Sequence, residues 1–184
     1  MTNQWLKMTE TIEGKVKENM TFSSVFKSML PSVVVGTAAA AGAQEIASHY
    51  TSNPEAITLA GIASQYVGGW SAYLPAHLYN NRDRLIEDGR VKWREYVKDI
   101  GSVAVSDKVG SKIWAGAYGL ANGVALRYGI YPSVAGAISG LSSGALYSAF
   151  TGYTAPKVNT LIGKAKEAVQ KFRKKEVNEI PIGI

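Results

Sequence analysis

Cysteine is missing from all 184 residues, and histidine occurs only at positions 49 and 77. No disulfide framework, thiolate metal site or thiol redox centre is open to such a chain. Charge is also scarce. Asp, Glu, Lys and Arg make up 18% of the residues, against ~25% in ordinary soluble domains. They are absent altogether from four stretches: Ser28 to Gln44, Ala56 to Asn81, Ile113 to Leu126 and Tyr128 to Pro156. The mean hydropathy of -0.03 would suit a soluble protein, but that average hides the bunching of charge.

An uncharged run as long as Tyr128 to Pro156 can cross the ~30 Å hydrocarbon layer of a bilayer as a helix. The expected fold is therefore all-α: a polytopic membrane protein of four transmembrane helices at about 28–47, 56–78, 105–126 and 130–155. A cytoplasmic elbow at 80–104 joins the second and third. An amphipathic cytoplasmic segment at 1–27 precedes this 28–156 domain, and a basic amphipathic cytoplasmic tail at 157–184 follows it. A cleaved signal peptide is not expected, because the first apolar run follows a charged segment and is long enough to span. The third crossing is the shortest and must borrow Lys108 and Lys112 to reach across, their ammonium groups snorkelling toward headgroups.

Basic residues alternate along this arrangement. Four precede the first run, none lies between the first and second, eight lie between the second and third, one between the third and fourth, and seven follow the fourth. Such alternation predicts four crossings of the cell membrane with both termini cytoplasmic, because Lys and Arg are retained on that side. The net charge of +6 would otherwise raise nucleic-acid binding, but no recognition motif accompanies it, and no nucleic-acid partner is expected. The basic tail, with Lys164, Lys166 and Lys171 beside Leu161, Ile162 and Val169, is expected to meet anionic lipid.

Small residues recur every fourth position. The fourth crossing carries Gly136, Gly140, Gly144, Ser148 and Gly152, and the second carries Ser64, Gly68 and Ala72 within a longer row. Glycine costs a helix roughly 1 kcal/mol relative to alanine in water. Close approach of a second backbone is the compensation, since helices in lipid associate by dispersion contacts. These rows predict helix packing within the chain, in a homo-oligomer or in a larger membrane complex.

No nucleophile, base and orienting group occur together, and the topology places His49 and His77 at opposite faces of the membrane, which excludes a shared metal site. Neither enzyme activity, a metal nor a cofactor is expected, and each histidine reads as interfacial. Candidate solute or proton-path residues are Gln65 and Asn122 at mid-depth, together with Asp107. The competing role for the amides is interhelical hydrogen bonding. Asp99 is expected in cytoplasmic water and Asp107 near the interface, both available for salt bridges to Lys108, Lys112 or the elbow arginines.

Two short stretches, Asn81-Arg82-Asp83 followed by Lys98-Asp99-Ile100, and Gly144-Ala145-Leu146-Tyr147-Ser148-Ala149-Phe150, resemble the small bacterial L-alanine exporter family. That resemblance covers about Ala56 to Lys157. It implies export of a small amino acid coupled to the proton gradient, with Arg82, Asp83 and Asp99 at the matching positions. The spacing between the two Asp positions departs from the family pattern. A small-solute exporter or permease and a non-catalytic scaffold or accessory subunit are thus the two functional readings.

Overall fold

The computed structural model describes residues 20–178, with side chains through Gln170. Helix α1 (Phe22–Ser48), α2 (Pro54–Asn80), the single turn α3 (Arg82–Leu85), strands β1 (Ile86–Glu87) and β2 (Arg90–Val91), α4 (Trp93–Arg127) and α5 (Pro132–Asn178) follow in order. The amphipathic segment expected at the N-terminus lies, up to Glu18 and Asn19, outside the described residues, as do the tail side chains beyond Gln170.

The ends of the helices follow from local chemistry. Thr21 and Ser24 form a reciprocal cap at 3.2 Å that opens α1. Asn53 accepts from the amides of Glu55 (2.8 Å) and Ala56 (3.4 Å), with Pro54 at the first helical position, where its missing donor costs nothing. Between α2 and α4 the chain turns in a two-residue hairpin. Ile86 faces Val91 and Glu87 faces Arg90, while Asp88 (φ 49) and Gly89 (φ 72) both take positive φ. An Asp-Gly pair suits that left-handed turn.

The elbow expected at 80–104 divides into the short turn α3, the hairpin and the start of a long helix. Helix α4 starts at Trp93, so Trp93 to Ala104 belong to one helix of 35 residues, ~52 Å long. The helix expected at 105–126 therefore does extend backwards, as far as Trp93. Likewise α5 runs unbroken through the boundary expected at Pro156.

The four long helices form a bundle in which α1 packs along both α2 and α5, and α4 packs along α5, while α2 and α4 meet far more sparsely. The glycine rows serve contacts inside this bundle. A Cβ on Gly136 would meet Gln44, one on Gly140 would meet Thr37, one on Gly144 would meet Val33, and one on Gly152 would meet Phe22. All four contacts are with α1. Gly68 likewise lies against Ala39 and Gly36 of α1. Ser148 is buried and donates to the Gly144 carbonyl at 2.8 Å, whereas Ser64 and Ala72 are half-buried on α2.

Burial is inverted relative to a water-soluble bundle. Gln44, Gln65, His77, Asp99, Asp107, Asn122 and Thr151 are buried, while Val34, Leu59, Val67, Val109, Leu120, Leu141 and Leu146 stand exposed along the helix middles. Among the described residues one helix, Phe22–Ser48, is long and apolar enough by length and composition to cross a membrane, with a mean hydropathy of 1.3 over its most apolar stretch. The other three miss that mark for a visible reason: their inward faces carry glycine, serine, amides and tyrosine, and α4 adds Asp107, Lys108 and Lys112.

Candidate functional site

On α4 the buried residues Asp99, Val103, Asp107, Gly110, Trp114, Tyr118 and Asn122 recur every three or four positions, which places them on one face of the helix. Thr58, Gly61, Gln65, Tyr73 and His77 do the same on α2. The two faces meet along the bundle axis and form three polar layers.

The innermost layer centres on Asp99. Its carboxylate accepts from Asn159 Nδ2 at 2.8 Å, from His77 Nε2 at 3.1 Å and from the Arg84 guanidinium, which approaches both oxygens. With a proton on Nε2 facing the carboxylate, His77 Nδ1 is the acceptor, and Tyr73 donates its hydroxyl to it at 3.0 Å. Asn81 supports that tautomer. Its amide donates to the His77 carbonyl at 2.8 Å, which orients the same nitrogen toward Nδ1 at 3.3 Å. Tyr73, His77 and Asp99 are all at most 1% exposed, and Arg84 at 12% is the side chain through which the layer meets solvent.

Burial pushes the Asp99 carboxyl up, but the bonds from His77 and Arg84, together with the charge on Arg84, outweigh burial and hold it below the ordinary carboxylate value. A depressed folded-state value stabilises the fold above the unfolded value of ~4 and loses that contribution as pH falls through the lowered one. Thermal unfolding of the purified protein between about pH 6 and about pH 2.5 should therefore show a steep loss of stability at the acid end. In Asp99→Asn that slope should be reduced.

The middle layer centres on Asp107, 5% exposed. Tyr66 donates to its Oδ2 at 2.7 Å, and Tyr147 donates to its Oδ1. None of the ion pairs among the described residues includes it, and Lys108 and Lys112 are exposed on α4. Asp107 lines a cavity of about 40 Å³ with Gln65, Tyr66, Trp70, Tyr73, Trp114 and Tyr147. Gln65 donates to the Gly140 carbonyl at 3.1 Å, and its side-chain oxygen has no partner. Tyr73 belongs to both layers: it lines this cavity and bonds His77.

In the outermost layer Gln44 donates to the Tyr118 hydroxyl at 3.0 Å, and Asn122 donates to Thr58 at 2.8 Å. The oxygens of both amides lack partners. An unpaired buried acceptor costs roughly 1–3 kcal/mol, and a bridging water is the usual remedy where the site is polar.

The chain matches no protein-family model, no curated protein and no solved structure. Its chemistry therefore has to be read from these layers.

Four expectations change. Asp99 is not in water but buried among three donors, of which only Arg84 was expected from the elbow. His77 is not interfacial but fully buried beside Asp99. Asp107 forms no salt bridge with Lys108 or Lys112 and sits level with Tyr66, halfway along α2. Arg82 and Asp83 stand outside the site: they are exposed, 3.8 Å from each other, and Arg82 lies over the Tyr79 ring at 5.2 Å. Arg84, on the same short turn, points inward instead. Gln65 and Asn122 do lie on the polar axis. Tyr66, Tyr73 and Tyr147 stand out in the sequence as hydroxyls inside the uncharged runs, whereas Asn159 and the inward turn of His77 escaped sequence reasoning; the spacing of Tyr73, His77 and Asn81 at successive fourth positions is the signal that marks one polar helix face.

Proposed function

We propose that this chain is an integral membrane protein of four crossings that acts as a small-solute permease, with Asp107 as the proton-carrying group on its path. The observation that carries this reading is a buried carboxylate without a basic partner, level with the middle of the bundle and bordering a cavity. Charged side chains at membrane depth are costly and are kept where they face a path or relay. The inverted burial supports the membrane setting, since exposed leucine and valine along helix middles suit lipid and a polar axis suits a path.

Tyr73, His77, Asp99 and Arg84 connect the cavity to the hairpin end, which carries most of the basic residues and is therefore the cytoplasmic end. A proton leaving Asp107 reaches that side through cavity water, the Tyr73 hydroxyl and the imidazole. The likeness to L-alanine exporters favours a solute of amino-acid size. Reconstituted into liposomes with a proton gradient, the wild-type chain should move one or more small solutes, and Asp107→Asn should bring flux down to that of empty liposomes while leaving the helical content unchanged. No flux across a panel of small amino acids, amines and neutral solutes would sink the reading.

The subunit reading draws on a different observation. The sparse α2–α4 seam is open as two grooves, one lined by Ile62, Tyr66, Val67, Lys112 and Trp114 and the other by Thr58, Leu59, Gly119, Gly123 and Arg127. Lys112 borders the first groove beside Ile62, Tyr66 and Val67, where an ammonium group is costly unless it snorkels or is paired, and a second copy or a partner helix over this seam is what the subunit reading supplies. The glycines of α5 no longer speak for a partner, because α1 occupies them.

A further inference from the structure

The cavity at Asp107 has a wall of aromatic rings. Trp114 stands between Tyr66 and Tyr147 with ring centroids 6.4 and 6.5 Å away, and Trp70 meets Tyr73 edge-on at 5.6 Å. All five line the same space as the carboxylate. We propose that this cavity is a binding site for a small organic ammonium ion and that it discriminates against zwitterionic amino acids. The inference rests on the permease reading for its biological role, and its binding chemistry stands on the cavity itself.

Aromatic faces attract cations through the ring quadrupole, most strongly when water is excluded, and caged ammonium groups are the general case of that recognition. Asp107 supplies the counter-charge. Each of its oxygens accepts one phenolic hydrogen bond, so about two of its roughly four acceptor positions stay open to an N–H donor. The two phenols also fix the carboxylate before any ligand arrives, which lowers the ordering cost of binding. Gln65 adds a further acceptor, its side-chain oxygen being buried and without a partner. A volume of about 40 Å³ is room for about three water-sized groups, given ~10–15 Å³ for one. That suits methylammonium or ethylammonium and excludes a quaternary ammonium group or a large cationic dye.

The discrimination follows from what the lining offers an anion. Among the described residues, no Lys, Arg or His side chain lines the cavity. Lys112 borders the groove on the other side of Tyr66 and Trp114, and Lys108 is exposed on the outer face of α4. The carboxylate of an amino acid would enter beside Asp107 with no cation to pair it, leaving a buried charge uncompensated. The cavity chemistry therefore departs from what the likeness to alanine exporters implies.

Equilibrium binding of radiolabelled methylammonium and ethylammonium to the full chain in lipid nanodiscs tests this. Saturable binding to the wild type is expected, displaced by neither L-alanine nor the neutral isostere ethanol as competitors. Asp107→Asn and Trp114→Leu should each weaken binding by about tenfold or more. Competition by L-alanine or by the neutral alcohol equal to that of the unlabelled ammonium would overturn the proposal, and so would unchanged binding to a folded Trp114→Leu chain. The competitor arm uses the wild type alone and does not depend on any variant folding. Ammonium binding without flux in liposomes sinks the permease reading and keeps this one; flux of neutral solutes without ammonium binding does the reverse.

Discussion

Asp99→Ala is expected to lower the unfolding free energy of the bundle by about 3 kcal/mol or more, the range for breaking a buried ion pair by removing one partner. The size of the effect comes from what remains. Arg84 keeps its charge at 12% exposure without a counter-ion, His77 loses the acceptor for its Nε2, and Asn159 loses the acceptor for its amide. The three groups sit on α3, α2 and α5, so one carboxylate ties α4 to three other elements at the hairpin end. Chemical unfolding in detergent micelles, followed by helical circular dichroism, gives the measurement. Asp99→Asn should fall between the wild type and Asp99→Ala, since an amide oxygen can still accept one bond. Replacing the pair together, Arg84→Met with Asp99→Leu, should cost less than Asp99→Ala alone, because no charge is then left unpaired. If Asp99→Ala unfolds within about 0.5 kcal/mol of the wild type, the spread expected of surface changes, the network is ornamental.

Gly36→Leu is expected to separate α1 from α2. A Cβ at Gly36 would lie 2.8 Å from the Gln65 backbone oxygen and 3.3 Å from the Gly69 nitrogen, and neither is the end of a movable side chain. Across the contact a Cβ on Gly68 would lie 3.0 Å from the Ala39 Cβ and 3.4 Å from the Gly36 Cα. Two backbones therefore touch here, and Ser32 donates to the Gly69 carbonyl at 2.7 Å beside them. Overpacking costs roughly 1–3 kcal/mol even where side chains can give, so a destabilisation at the upper end is expected. Gly42 is the internal control, on the same helix with nothing within 4 Å of a built Cβ. Gly42→Leu should leave the unfolding midpoint almost unchanged. Equal losses from both substitutions would mean that the close approach of α1 to α2 at Gly36 does not set the effect, since leucine is the better helix former at both positions.

Much of the helical plan is legible in the residues themselves. The four uncharged runs mark the long helices, Asn53-Pro54 marks the start of α2, and Asp88-Gly89 marks the turn of the hairpin. The small-residue rows mark close contacts, although only coordinates show that α1 fills the α5 row. The interior of α4 is harder to read. Trp93 to Ala104 mix acid and base as a surface helix would, and nothing local says that Asp99 alone among those charges turns inward. Its partners come from positions 22 residues before it and 60 residues after it, and separations of that kind are set by tertiary packing. His77 is hidden for a related reason: flanked by Ala76 and Leu78 near a helix end, it carries the pattern of an interfacial residue until Tyr73, Asn81 and Asp99 converge on it. Asp107 shows the same limit from the other side. Its lysine neighbours in sequence face out, while its true partners, Tyr66 and Tyr147, lie on other helices.

The central claim is that this bundle spans a membrane four times with its polar axis inside. Because the chain has no cysteine, a single thiol can be placed at Ser52, Arg90 or Tyr128, each of them exposed, the first and last between helices and Arg90 in the hairpin. Labelling intact cells with a membrane-impermeant maleimide should modify Ser52→Cys and Tyr128→Cys and leave Arg90→Cys untouched until the membrane is opened. Modification of Arg90→Cys in sealed cells, or recovery of the chain in the soluble fraction without detergent, would contradict the account.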